Sequence, residues 1–173
     1  MENSPELDLI NQFEYDLQEI LGIKVYFSCE KSNLKFSLKE IENILQLIPP
    51  EHRSFIPRIY LVTYFDKNSE TKGRHLASLS YVIVYPNAFT ELEEVLIHEI
   101  GHVLWDRKLS PSERVQFYET LLQEVPATLR IEDELKRHVF VLENFANCYM
   151  FFLCKIFDSQ KYPLIYKFIL SLF

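Results

Sequence analysis

Apolar residues recur near the start of the chain at Leu7, Ile10, Phe13, Leu17, Ile20 and Leu21, and Gly22 closes the run. That three-to-four spacing predicts a helix over residues 5–21. Ile23-Lys24-Val25-Tyr26-Phe27 then alternates and is rich in β-branched and aromatic residues, which predicts a short strand. Ser37-x-x-Glu40 forms a capping box ahead of Leu38, Ile41, Ile44, Leu45 and Ile48, so a second helix starts there and stops at Pro49-Pro50. Two further runs, 56–65 and 76–85, read as strands. The polar connection 66–75 contains the only glycine between them, and the pair is expected to form a hairpin. Helices are expected over about 91–106, 111–124 and 135–157, with a last one from Pro163. Thr90 is the N-cap of the first of these, and Pro111 opens the next, where proline is tolerated.

The order of elements predicts an α+β domain. A small antiparallel or mixed sheet with helices occupies about 1–89, and a helical part occupies about 90–173. No repeat or long linker divides the chain, so one domain of 173 residues is expected. The run 139–157 has nearly the length of a membrane span, but Glu143, Asn144 and Asn147 lie within it and a lone carboxylate in lipid is costly. It reads instead as a buried helix of a globular core. The segment 161–173 is too short to span and reads as a docking helix.

Composition narrows the functional classes. Hydrophobic residues make up 48% of the chain and aromatics 14%, which excludes a disordered chain. The net charge of −7 comes without a basic stripe, so nucleic acid is not an expected partner. Cys29, Cys148 and Cys154 form no CxxC pair and suggest neither a disulfide framework nor a thiolate metal site. The first residues, Met1-Glu2-Asn3-Ser4-Pro5-Glu6, carry no signal-peptide pattern, and a reducing cytoplasm is the expected location.

The chemistry concentrates in Val95-Leu96-Ile97-His98-Glu99-Ile100-Gly101-His102-Val103-Leu104. On a helix, His98 and His102 lie one above the other, so both imidazoles leave the same face and can hold one Zn²⁺. Glu99 projects to the flank, where it can act as general base toward the water at the metal. Gly101 costs helix propensity, which suggests close packing beside the site. Two histidines flanking a glutamate on so apolar a helix otherwise require hydrogen-bond partners in the core.

A catalytic zinc needs a third protein ligand and an open position. No histidine follows His102 at the spacing of H-E-x-x-H-x-x-G-x-x-H. Glu143, in Leu142-Glu143-Asn144-Phe145-Ala146-Asn147, is the leading candidate. The alternatives are a buried ion pair of Glu143 with Arg107, Arg130 or Arg137, and His138 as the ligand. Asn147, one turn after Glu143, can accept the Nδ1–H of a ligand histidine. Trp105 reads as core, Asp106 as a surface carboxylate, and His52 and His75 as exposed residues of polar turns. Lys136-Arg137-His138 reads as a solvated helix start.

His98-Glu99-Ile100-Gly101-His102 followed by Glu143-Asn144-Phe145-Ala146-Asn147 resembles the gluzincins, zinc peptidases with a glutamate third ligand. The resemblance is strongest to the anthrax lethal factor and Pro-Pro endopeptidase group, and it spans about 37–157. It implies zinc-dependent peptide-bond hydrolysis of a peptide or protein substrate, with one Zn²⁺ on His98, His102 and Glu143 and with Glu99 as base. It also implies that substrate adds antiparallel to an edge strand, here Ser80, Tyr81, Val82, Ile83, Val84 and Tyr85. The group places a tyrosine two turns before the third ligand to steady the oxyanion, whereas this chain has Lys136. Lys136, Arg137 or His138 can supply the charge or hydrogen bond instead, or Tyr149 from elsewhere. The departure leaves a weakly active or inactive zincin-like protein-binding or regulatory module as the alternative. ImmA/IrrE-type metallopeptidases, which cleave repressors in the cytoplasm, are a second group with a similar pairing of motifs.

Overall fold

A computed structural model of the chain describes residues 14–28, 37–62, 73–76, 81–84, 92–125 and 131–173. Strands β1 (Tyr15–Ile20), β2 (Ile23–Ser28), β3 (Arg58–Leu61), β4 (Gly73–Leu76) and β5 (Tyr81–Val84) form one sheet in the order β1-β2-β3-β5-β4. Helices α1 (Leu38–Leu47) and α2 (Pro50–Arg53) precede β3, and α3 (Leu92–Arg107), α4 (Pro111–Glu124), α5 (Glu134–Leu153) and α6 (Pro163–Leu170) follow the sheet. The α+β architecture, a small sheet first and helices after it, is the expected one. The capping boxes at Ser37 and Ser110 are both formed, each serine oxygen accepting from the backbone N–H three residues on.

Three sequence expectations are overturned here. Residues 15–20 of the expected helix 5–21 form a strand that pairs antiparallel with β2, Tyr15 opposite Ser28 and Ile20 opposite Ile23. Leu21 (φ 53°) and Gly22 (φ 81°) both adopt the left-handed conformation that a tight two-residue hairpin turn requires. The helical spacing rested on Leu7, Ile10 and Phe13, which lie outside the described residues, as does Thr90.

The expected hairpin of 56–65 with 76–85 is also replaced. β3 runs parallel to β5, Arg58 opposite Tyr81 and Leu61 opposite Val84, and the antiparallel neighbour of β5 is β4. The physical reason is legible in the residues. Val82, Ile83 and Val84 are buried, as a strand with covered faces and neighbours on both sides must be. The polar Gly73-Arg74-His75, read as part of a loop, suits an outer strand instead.

The third correction concerns His52. It is fully buried rather than exposed, because Pro50 opens a one-turn helix and directs it inward. Its Nε2–H donates to the Leu172 carbonyl and its Nδ1 accepts from the Tyr149 hydroxyl, both at 2.9 Å. Burial is the largest cause holding the imidazole below its ordinary pKa. Tyr149, fully buried, is thereby committed to His52 rather than to an oxyanion. The side chain of His75 lies outside the described residues.

The core lies between the sheet and the helices. Ile23, Val25, Phe27, Ile59, Leu61, Val82 and Val84 face it, while Tyr26, Tyr60 and Ile83 point to the other side. α3 is buried nearly all round, with Leu96, Ile97, Ile100, Val103 and Leu104 inaccessible and Trp105 packed on Phe117 and Phe145. Glu124 of α4 docks α6 by accepting from the Leu164 and Ile165 amides at 2.7 and 2.9 Å. The run 139–157 is largely α5, with Val141, Phe145, Ala146, Tyr149 and Met150 turned inward. Among the described residues no helix is long and apolar enough to cross a membrane.

α3 and α5 approach each other closely at Gly101. A Cβ there would lie 2.8 Å from Ala146 Cα and 3.2 Å from its Cβ, so two backbones meet with no room for a methyl group. Gly101→Ala is therefore expected to destabilise the fold by about 1–3 kcal/mol, despite the better helix propensity of alanine. Urea unfolding at or above wild-type stability would show that the helices separate freely.

Candidate metal centre

The Gly101–Ala146 contact fixes what α3 and α5 present to each other one turn on either side. His98 and His102 leave the same face of α3, their ring centroids 4.8 Å apart and their planes nearly perpendicular at 87°. Glu143 comes from α5, three residues before Ala146. The Nε2 atoms of the two histidines are 3.1 Å apart. His98 Nε2 is 3.3 Å from Glu143 Oε2, and His102 Nε2 is 3.5 Å from Glu143 Oε1.

Those three edges can be tested against a metal. Ligand atoms about 2.0–2.1 Å from a tetrahedral zinc stand about 3.3–3.4 Å from one another. The three contacts lie within a few tenths of an ångström of that figure, the two to Glu143 ending on different carboxylate oxygens. Two imidazoles and one carboxylate are also a donor set that zinc accepts. His102 is nearly buried and Glu143 about half exposed (49%), so the group is closed by protein on one side and open on the other. The residues fit a three-ligand zinc site with a free position.

Asn147 stands where expected. His98 Nδ1–H donates to Asn147 Oδ1 at 3.0 Å, which leaves the Nε2 lone pair facing the other two ligands. The imidazole of His98 is held above its ordinary pKa. Burial is the largest single cause and pulls it down, but the hydrogen bond to Glu143, the charges of Glu99 and Glu143 and the bond to Asn147 together outweigh it. Glu143 is held below the usual carboxylate range, chiefly by its hydrogen bond with His98.

Glu99 is nearly buried and stands outside the ligand triangle. Its carboxylate lies against β4 at Gly73, where a Cβ would come within 2.7 Å of its Oε1. Nothing in the residue pattern pointed to Gly73, a lone glycine in a polar stretch.

The remaining candidates separate from the centre. His138 lies on a different side of α5, in a groove with Trp105, Arg114 and Tyr118. Five residues on a helix turn it about 140° from Glu143. It is therefore neither a ligand here nor placed to steady an oxyanion. Arg137 donates to the Ile131 carbonyl at 2.6 and 2.9 Å, so it is not the ion-pair partner of Glu143. Arg130 lies outside the described residues, and Arg107 is exposed at the end of α3. Lys136 is exposed and keeps the face of Glu143, two turns and about 10 Å along the helix. The expected substrate strand is corrected as well. Tyr81, Val82, Ile83 and Val84 belong to β5, which is flanked by β3 and β4 and has no free edge, while Ser80 and Tyr85 lie outside the described residues. The outer strand on this side of the sheet is β4.

Comparison with protein-family models, with curated proteins and with solved structures gives no match.

Proposed function

We propose that the chain is a gluzincin-like, zinc-dependent endopeptidase. The observation that carries this reading is the group of His98 Nε2, His102 Nε2 and the two carboxylate oxygens of Glu143, with contacts of 3.1, 3.3 and 3.5 Å, beside a nearly buried Glu99 that stays out of it. His98, His102 and Glu143 hold the ion, and Asn147 orients His98. Zinc, when bound, supplies a Lewis acid that polarises the scissile carbonyl and acidifies water. Glu99 takes the proton of the attacking water and passes it to the leaving amine. The substrate chain lies along the outer edge of β4, adding a strand to the sheet. Of the oxyanion donors considered, Lys136 shares the face of the ligands. The substrate is a peptide or protein, met in the cytoplasm, without nucleic acid.

A second reading is a zinc-holding module that binds a protein without cleaving it. The placement of His138 and Tyr149 away from the centre favours it, since an oxyanion donor is worth about 10²–10³ in rate. Turnover of a peptide library by the zinc-loaded protein separates the two, because the module binds metal and cleaves nothing.

The metal itself is tested first. Elemental analysis should find about one zinc per chain, or the apoprotein should take it up. Acidity gives an independent check. Without metal, the raised pKa of His98 contributes stability in full below the unfolded value of 6.5 and loses it as pH rises through the folded value. Glu143, lowered, contributes above its unfolded value of 4.5 and loses its contribution as pH falls through the folded one. Zinc must displace the proton of His98, so its stabilisation grows as pH rises over the same window above 6.5. His52, whose pKa is lowered, titrates below that window. The melting temperature of the apoprotein should therefore fall across the window while the increment added by zinc rises. No zinc uptake at any pH sinks the reading.

A further inference from the structure

We propose that Gly73 is a positioning residue for Glu99, its missing side chain being the space that the carboxylate of the base occupies. The proposal rests on the peptidase reading above. Gly73 is the first residue of β4 and pairs with Val84, whose side chain faces the helical layer, so the Cβ direction at Gly73 points the same way. An ideal Cβ built there falls 2.7 Å from Glu99 Cγ, 2.7 Å from Oε1 and 3.0 Å from Cδ. Real Cβ atoms do not approach neighbours that closely.

The backbone does not need glycine at this position. Of the glycines, only Gly22 has a positive φ, so an L side chain can adopt the conformation of Gly73. A glycine within a strand also forfeits about 0.5–1 kcal/mol relative to alanine. What requires glycine is the room for Glu99.

The atoms in the way decide how a substitution acts. They run from Cγ to Oε1 of a flexible side chain rather than belonging to backbone, so the side chain of Glu99 rotates away and β4 stays. To reach ordinary contact, Cγ and Oε1 both have to recede from 2.7 Å to at least 3.4 Å. A misplacement approaching 1 Å in a reacting group costs up to about 10²-fold in rate. Gly73→Ala therefore converts little into stability and much into the placement of the base.

The experiment uses the full-length, zinc-loaded protein and its Gly73→Ala, Glu99→Ala and doubly substituted variants. We expect Gly73→Ala to lower kcat about 10–100-fold. KM, zinc content and Tm should stay at wild-type values. In the Glu99→Ala background, where no side-chain atom beyond Cβ remains to meet the new methyl group, the same substitution should change the residual rate by less than about twofold. That non-additivity distinguishes positioning of Glu99 from a general effect on the strand. An equal loss in both backgrounds, or a loss carried by KM or Tm, overturns the proposal. A crystal structure of Gly73→Ala supplies a readout independent of turnover. A carboxylate displaced with β4 in place supports the proposal, and an unmoved carboxylate overturns it. If the wild type cleaves no peptide, the peptidase reading fails, and the crystal structure alone decides the packing claim.

Discussion

Glu99→Gln is expected to bind zinc as the wild type does and to lose peptide hydrolysis by about 10²–10⁴-fold, the range that a general base contributes. Glutamine matches glutamate in volume, so it fits the nearly buried space beside Gly73 without disturbing α3. The three side chains around the metal position, His98, His102 and Glu143, are untouched. What disappears is the ability to accept a proton at that atom. Zinc titration and single-turnover cleavage on the same preparation separate the two effects. Cleavage at the wild-type rate by Glu99→Gln removes Glu99 from the mechanism. Loss of zinc in this variant would mean that the carboxylate helps to hold the ion.

Glu143→Ala carries the second large effect. Two imidazoles and water remain after the substitution, and zinc affinity should fall by more than the roughly 10–100-fold that even outer partners of a ligand are worth. The apoprotein should lose little stability. Glu143 is about half exposed, so its pairing with His98 and His102 is screened by solvent, unlike a fully buried ion pair whose rupture costs about 3–5 kcal/mol. His138→Ala is the control and should leave the metal in place, since His138 faces the groove with Trp105 and Arg114. Thermal melts and zinc titrations on both variants are decisive. Loss of metal in the His138 variant alone would demand a different arrangement of α5 and would remove the glutamate ligand with it.

Signals that act within one turn of chain were legible in the sequence. The capping box at Ser37, Pro111 as a first helical residue and the helix from Pro163 depend on neighbours three or four residues away, and each is found as expected. The four-residue step from His98 to His102 is likewise a local matter, since one helical turn puts both imidazoles on one face. Glu143 stood out because a carboxylate within an apolar helix demands partners. Sheet order did not follow from such local information. Strand pairing joins segments far apart in sequence, and the hairpin that proximity suggested gave way to parallel pairing of β3 with β5. The polar stretch at Gly73 became the outer strand, and residues 15–20 became a strand because β2 offered them a partner. His52 shows the same limit, for its polar surroundings in sequence say nothing of Tyr149 and Leu172, 97 and 120 residues away. The sequence by itself determined which residues are candidates for a metal centre. The tertiary structure decided that α3 and α5 meet at Gly101 and Ala146 closely enough to bring two imidazoles and a carboxylate within 3.5 Å, and that β4, with Gly73 beside Glu99, is the outer strand in place of β5. Only packing between distant segments sets those distances, and no residue pattern encodes them locally.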